Sequence, residues 1–388
     1  MTTGRLASLG PRFARLRDAM SPPAYPGVRL SARRLLNLYL SRWQEGRGHT
    51  RLISRPIKLT VEATNICNLR CPACFTGAGL PGRTKSHMSL DFYQQLLDEF
   101  GDYLFSLEFF NWGEPLLAKH IFAMIEQATR RGISTTVSTN FSFPFDAERA
   151  ERIVTSGLQI LGVSIDGARQ ETYEQYRVRG QLDTVLRNVA LVRDAKRRLG
   201  SATPRLIWQY HVFPHNLEDV ETSRTMAAEL GMDMAVSKGW TVGQEWDPKS
   251  EHRFFWYPTP PAPCRFLWQE AVVHNEGGVA PCCGTYYPTD DVGHLATTAG
   301  EPGAANFGEV WNNEKMRQAR QLYRNRSAPD APRDHVCYDC PLTVIWEKWQ
   351  VHQSSGTSAP FEAGFGTNDC FNYFWNRRPA PTAARKAG

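Results

Sequence analysis

Between residues 57 and 237, six short runs of aliphatic and β-branched residues alternate with longer stretches of helical periodicity, and this alternation constrains the fold more than any other feature. The strand runs are 57–63 (IKLTVEA), 104–109, 133–138, 160–165, 205–213 and 232–237. Helical stretches lie near 89–100, 118–131, 146–156, 183–199 and 217–230. Strands joined by crossover helices pair in parallel. Six units fall short of the eight that close a standard barrel. The expected fold is α/β: a partial (β/α)6 barrel of parallel strands, followed by a small C-terminal domain.

The flanks divide the chain further. Residues 1–55 form a leader with eleven Arg and no Lys against Asp18 and Glu45, a charge of +9. With the chain at +6 in all, the remainder is left mildly acidic at −3. A basic arm on an acidic body fits a membrane surface, a nucleic acid or an acidic substrate, the nucleic acid less well because the rest of the chain is not basic. Ala32, Leu35, Leu36, Tyr39, Leu40 and Trp43 repeat at helical spacing behind Ser31 as N-cap, with Arg33, Arg34, Asn37 and Arg42 opposite. That helix, 31–43, either packs its apolar face on the main domain or lies on a membrane as a peripheral contact. The barrel is expected over 56–238, a proline-rich linker over 239–263, a cysteine-bearing domain over 264–345 and an extension over 346–388. A hydrophobic share of 41% with 22% charged residues excludes a disordered chain. No apolar run reaches the roughly 18 residues of a membrane span. No secretory pattern opens the chain, so a cytoplasmic protein is expected.

The nine cysteines are grouped at 67, 71 and 74, at 264, 282 and 283, at 337 and 340, and at 370. In a cytoplasmic protein such grouping argues for metal ligation over disulfides. Cys67, Cys71 and Cys74 follow the first strand at once, at the strand end where α/β folds place their sites. Thiolates select zinc or iron–sulfur. Structural zinc wants a fourth ligand, and none is near before His87. Three thiolates suit a [4Fe–4S] cube with one iron left open for chemistry.

The CxxxCxxC spacing resembles the radical SAM superfamily, whose open iron binds S-adenosylmethionine (SAM). Phe75 stands where that family carries an aromatic residue after its third cysteine. Asn111-Trp112-Gly113-Glu114-Pro115 is similar to the family's GGEP motif, with Trp112 in place of the first glycine. The resemblance implies that Gly113 and Glu114 hold the SAM amino group and that Ser138 and Asn140 face the ribose. It further implies that Ser164 and Arg177 hold the carboxylate, with Asp166 beside them. Downstream, Cys264, Gly277-x4-Cys282 and Cys337-x2-Cys340 resemble the SPASM/twitch iron–sulfur extensions. Four cysteines match the shorter twitch version and imply one auxiliary [4Fe–4S] cluster, with a zinc ribbon as the alternative.

The resemblance implies an oxidoreductase or epimerase that cleaves SAM to a 5′-deoxyadenosyl radical and takes hydrogen from an unactivated C–H bond. Flavodoxin or ferredoxin would supply the electron. Cys283 and Cys370 are left outside the cluster patterns and are candidates to return hydrogen to a substrate radical. Tyr210 and His211, at the end of the fifth strand with Gln209, are candidate pocket residues. The expected substrate is a small polar molecule such as a sugar, polyol or natural-product intermediate. A peptide substrate and a lipid-linked one are the alternatives.

Overall fold

The computed structural model describes residues 25–239, 264–297 and 306–355. Cys370 and nearly all of the linker lie outside the described residues. One nine-stranded sheet, in the order β6-β5-β4-β3-β2-β1-β7-β8-β9, runs through the molecule. Its strands are β1 (Lys58–Val61), β2 (Ser106–Phe109), β3 (Ser134–Thr139), β4 (Ile160–Ser164), β5 (Arg205–Val212), β6 (Asp233–Lys238), β7 (Glu270–Val273), β8 (Gly278–Ala280) and β9 (Gly293–His294). β1 to β6 pair in parallel, each with the next. This is the open, partial barrel the alternation predicts.

Strand alternation separates two environments. In β5, Leu206, Trp208, Tyr210 and Val212 are buried, while Ile207, Gln209 and His211 are half-buried on the other face. The apolar set joins a continuous core with the covering helices α2 (Leu90–Phe100), α3 (Ile121–Arg130), α4 (Ala147–Thr155), α5 (Gln170–Tyr176), α6 (Leu182–Arg198) and α7 (Val220–Glu229). Helix starts are fixed by side chains that accept from free backbone N–H groups: Ser89 from Phe92 and Asp146 from Arg149. The inner face carries Lys58, Thr60, Glu108, Ser138, Ser164, Gln209 and His211 beside Ile207.

The C-terminal segment extends this sheet. β7 pairs in parallel with β1, Lys58 opposite Glu270 and Val61 opposite Val273, and β8 and β9 continue antiparallel. An open barrel leaves the outer edge of β1 without a partner, and exposed strand edges must be covered. Helices α8 (Phe307–Trp311), α9 (Glu314–Arg324) and α10 (Pro341–Ser354) complete the segment.

The leader helix α1 (Ala32–Gly46) packs in an orientation that reverses the first of the two sequence expectations, in which its apolar face would cover the main domain. Its buried residues are Arg34, Asn37, Leu38, Ser41 and Gln44, whereas Leu36 and Trp43 face outward. Helices α2 and α3 end beside it with carbonyls that have no helical partner. Arg34 donates to Gly101, Arg131 and Gly132 carbonyls at 2.9 Å each, and to Arg29 as well. Asn37 exchanges two bonds with the Arg55 backbone, and Ser41 donates to the Trp268 carbonyl. A polar stripe buries here because main-chain groups are waiting for it, and periodicity of apolar residues carries no record of that.

Candidate active site

The loop after β1 is shaped by short-range ties. Asn65 donates to the Thr84 carbonyl and accepts from the Ser86 N–H, and Thr64 donates to the Ser86 carbonyl. A Cβ on Gly77 would meet the Cys71 backbone at 2.5 Å, so the chain can fold back over the cysteines only with glycine there. Cys67, Cys71 and Cys74 line one cavity of about 190 Å³ at the C-terminal ends of the strands, together with Gly113, Glu114, Ser138, Asn140, Ser164, Arg177 and His211. Burial pushes the Cys67 thiol up to about 12, with Glu114 adding to it, and the Cys71 thiol up to about 11 against the pull of Arg177. Such thiols ionise when a cation arrives to hold them.

Gly113 is forced by contact. A Cβ there would stand 1.9 Å from the Thr64 carbonyl oxygen. Trp112, in the place of a glycine, takes no positive φ; its backbone N–H donates to Glu62 at 3.1 Å and its indole N–H to the Thr285 carbonyl at 2.9 Å. Glu114 accepts from the Thr139 hydroxyl and the Leu116 and Asn140 N–H groups, which clips this loop to the end of β3. Burial raises its carboxyl to about 7 while those donors pull the other way. Ser138 and Ser164 both donate to the Gln209 side-chain oxygen Oε1, at 2.7 and 3.4 Å. The Asn140 amide lies 3.7 Å from the Cys67 sulfur.

Asp166 organises the far wall. It accepts from the Arg177 Nε at 2.6 Å and from the His211 N–H at 2.6 Å, with His211 Nδ1 at 3.3 Å. Burial alone would raise Asp166, but Arg177 and His211 hold it below the usual carboxylate range. Anchored through Nε, Arg177 reaches the cavity, where its Nη1 lies 4.0 Å from the Cys71 sulfur. Tyr210 does not join them. It points to the opposite face of β5, fully buried, and donates to the Asn216 carbonyl. Neighbouring strand residues face opposite ways, so Tyr210 and His211 cannot share a pocket.

The second cysteine group is assembled from distant parts. Cys264 precedes β7, Cys282 follows β8, and Cys337 and Cys340 precede α10. Burial pushes the Cys282 thiol far up, and the charges of Cys283, Cys340, Cys264 and Cys337 add to it. Cys283 adjoins this group and also feels the charges where β1 and β7 begin. Burial raises its thiol to about 11, with Glu270 and Glu108 adding and Lys58 offsetting. Lys58 bridges those two carboxylates at 3.2 and 3.1 Å where β1 and β7 begin. Four residues of β1, roughly 13 Å of strand, lie between that end and the cavity.

Two family models match the chain: one for the radical SAM superfamily over residues 61–224 and one for the SPASM iron–sulfur cluster-binding domain over 264–341. This chain belongs to the radical SAM superfamily. Among its relatives are the AdoMet-dependent heme synthase of Methanosarcina barkeri, 27% identical over 46% of this chain and 49% of that one, and the mycofactocin maturase MftC of Mycolicibacterium smegmatis, 23% identical over 48% and 45%. The chain spans about half the length of these relatives. The crystal structure of Streptococcus suis SuiB bound to precursor peptide SuiA shares the fold, with a TM-score of 0.54 at 14% identity over 80% of this chain and 78% of that one.

As a radical SAM protein with a SPASM domain, the chain uses SAM, a [4Fe–4S] cluster and an auxiliary [4Fe–4S] cluster. The cavity fits the first two. Among the described residues three thiols face it without a fourth, and the Asn111 amide at its wall is a buried donor with no partner. Sequence reasoning missed the ties that bind this radical SAM site to the auxiliary domain. Glu62, fully buried, meets His274 Nδ1 of that domain at 3.0 Å. Arg83 donates to the Tyr286 carbonyl at 2.7 Å and pairs with Glu276 and Asp291. Phe75 is stacked on Tyr286, centroids 4.9 Å apart, and meets Trp112 edge-on. A charged residue inside an apolar strand run, Glu62 in IKLTVEA, was the available signal.

Proposed function

We propose that this radical SAM enzyme takes a hydrogen atom from an unactivated C–H bond of a peptide and completes a two-electron oxidation of it. Cys67, Cys71 and Cys74 hold the SAM-cleaving cluster, and Cys264, Cys282, Cys337 and Cys340 hold the auxiliary one. When bound, these groups supply the radical that removes the hydrogen atom and an acceptor for one electron. The chain's own part is to bind SAM, orient the substrate and take the remaining proton. Arg177, fixed by Asp166, is shaped to bind the SAM carboxylate. The backbone at Gly113 and the Asn111 amide are placed for its polar groups.

The observation that carries the reaction is His211, seated on the cavity wall against Asp166. An imidazole oriented by a buried carboxylate is built to accept a proton. Cys283 lies toward the other end of the strands, which supports oxidation over return of a hydrogen atom. The precursor peptide bound in the SuiB structure, with a maturase in the name of MftC, supports a peptide over the small polar molecule expected from sequence. So does β6, an edge strand among the described residues, whose Ser237 lies opposite His211. An extended peptide can pair along such an edge.

The test is transfer of deuterium from labelled precursor peptides into 5′-deoxyadenosine, with dithionite as reductant. Deuterium from a tetrapyrrole and none from any peptide would assign the substrate to the chemistry named by the heme synthases instead. His211→Gln should still form deoxyadenosine while product falls about a hundredfold, the lower range for loss of a general base. Unchanged product would remove His211 from the reaction.

A further inference from the structure

We propose that the outward face of α1 docks this protein on an anionic lipid surface. Among the described residues, seven large hydrophobic side chains are exposed, and four fall within residues 30–53: Leu30 at 49%, Leu36 at 70%, Trp43 at 51% and Ile53 at 76%. Single exposed apolar residues are ordinary, but a contiguous group asks for a partner. Leu36, Leu40 and Trp43 stand at i, i+4 and i+7 and share one helical face. Arg33 continues that face one turn earlier and Arg47 one turn later, while Arg29 and Arg51 are exposed at its two ends.

The opposite face already holds the helix in place. Arg34 fastens it to main-chain groups at the barrel's helix ends, Asn37 and Gln44 to the backbone of Arg55 and Ser54, and Ser41 to the Trp268 carbonyl, so the apolar stripe is not needed for folding. An apolar stripe with tryptophan, edged by arginines and lying flat on a globular body, has the make-up of an interfacial helix. Charge selects the occupant. Residues 1–24 carry +3 and residues 356–388 carry +2, so both ends of the chain have the sign of the arginine rim. A second copy of this basic region would be repelled in the same way. Anionic headgroups above an apolar layer satisfy both parts of the surface.

The full-length, cluster-loaded enzyme is floated with vesicles of phosphatidylglycerol and phosphatidylcholine, and with phosphatidylcholine alone. Binding should favour the anionic vesicles and fall as salt approaches about 1 M, where charges are screened within about 3 Å. Leu36→Asp with Trp43→Asp should weaken it at least about tenfold, the effect of withdrawing two apolar side chains from the acyl boundary. Iron content and SAM cleavage should stay unchanged, because neither residue touches the cavity. Val351→Asp, at a site 63% exposed in α10, should leave binding unchanged. No flotation at low salt, equal flotation with neutral vesicles, or binding indifferent to Leu36 and Trp43 would overturn the proposal. So would duplex DNA that depends on the same two residues while vesicles do not bind.

Discussion

Cys67, Cys71 and Cys74 come from one loop of eight residues, whereas Cys264, Cys282, Cys337 and Cys340 meet only because a hairpin, a helix start and a strand start converge. In the first group, local backbone geometry places the cysteines, and the loop is held by Asn65, Thr64 and Gly77. In the second, the cysteines come from separate elements. On the proposed assignment, a cluster on the loop would serve chemistry, and one between the elements would serve stability as well.

The sharpest test removes each group in turn. Replacing Cys67, Cys71 and Cys74 together by Ala should abolish deoxyadenosine formation yet leave a folded protein with about four iron atoms. Cys282→Ala should lose the other iron and lower Tm measurably, because β8 is then released from α10. If the triple variant still cleaves SAM, or if Cys282→Ala melts like the parent, the contrast fails.

Gly113→Ala probes the loop alone. The added methyl has no room beside Thr64, so the backbone proposed to bind SAM must shift by about an ångström, a displacement that costs on the order of a hundredfold in rate. Iron content should hold. Full activity would show that the loop yields without consequence.

Next come the ties between the two halves. His274→Ala leaves Glu62 buried with one partner fewer and should destabilise the fold by about 1–3 kcal/mol in urea unfolding. Glu114 adds a pH signature. Its carboxyl is raised to about 7 in the fold from an ordinary value of 4.5, so the native state holds the extra proton between those values. Stability should therefore fall as pH rises through that window, and Glu114→Gln should flatten the slope. A slope of the opposite sign would contradict the burial argument.

These contrasts also show what was readable in advance. The parallel strands were legible because each runs apolar between turns, and the cysteine loop because ligand spacing is contiguous in sequence. Glu62–His274, Arg83–Asp291 and Trp112–Thr285 were not, since each joins residues more than 170 positions apart. Nor was the joining of β7 to β1, which the empty edge of an open barrel demands but no local pattern announces. Tyr210 and His211 were paired by adjacency, and the pleat of β5 parts them.

The smallest effect tests the leader helix, where packing of the apolar face on the domain is one of two expectations and is the one the structure reverses. If burial follows the apolar stripe, Leu36→Ser should cost a few kcal/mol and Asn37→Ala almost nothing. The structure reverses the order. Asn37 is 5% exposed and answers both the N–H and the carbonyl of Arg55, so its loss strands two main-chain groups and should cost about 1–3 kcal/mol. Leu36 is 70% exposed, and its replacement by Ser should stay within about 0.5 kcal/mol. Urea unfolding of the two single variants decides it, measured without lipid so that any docking of the outer face does not enter. A larger loss for Leu36→Ser than for Asn37→Ala would mean that the apolar stripe is covered in solution, and the polar-side packing of α1 would have to be given up.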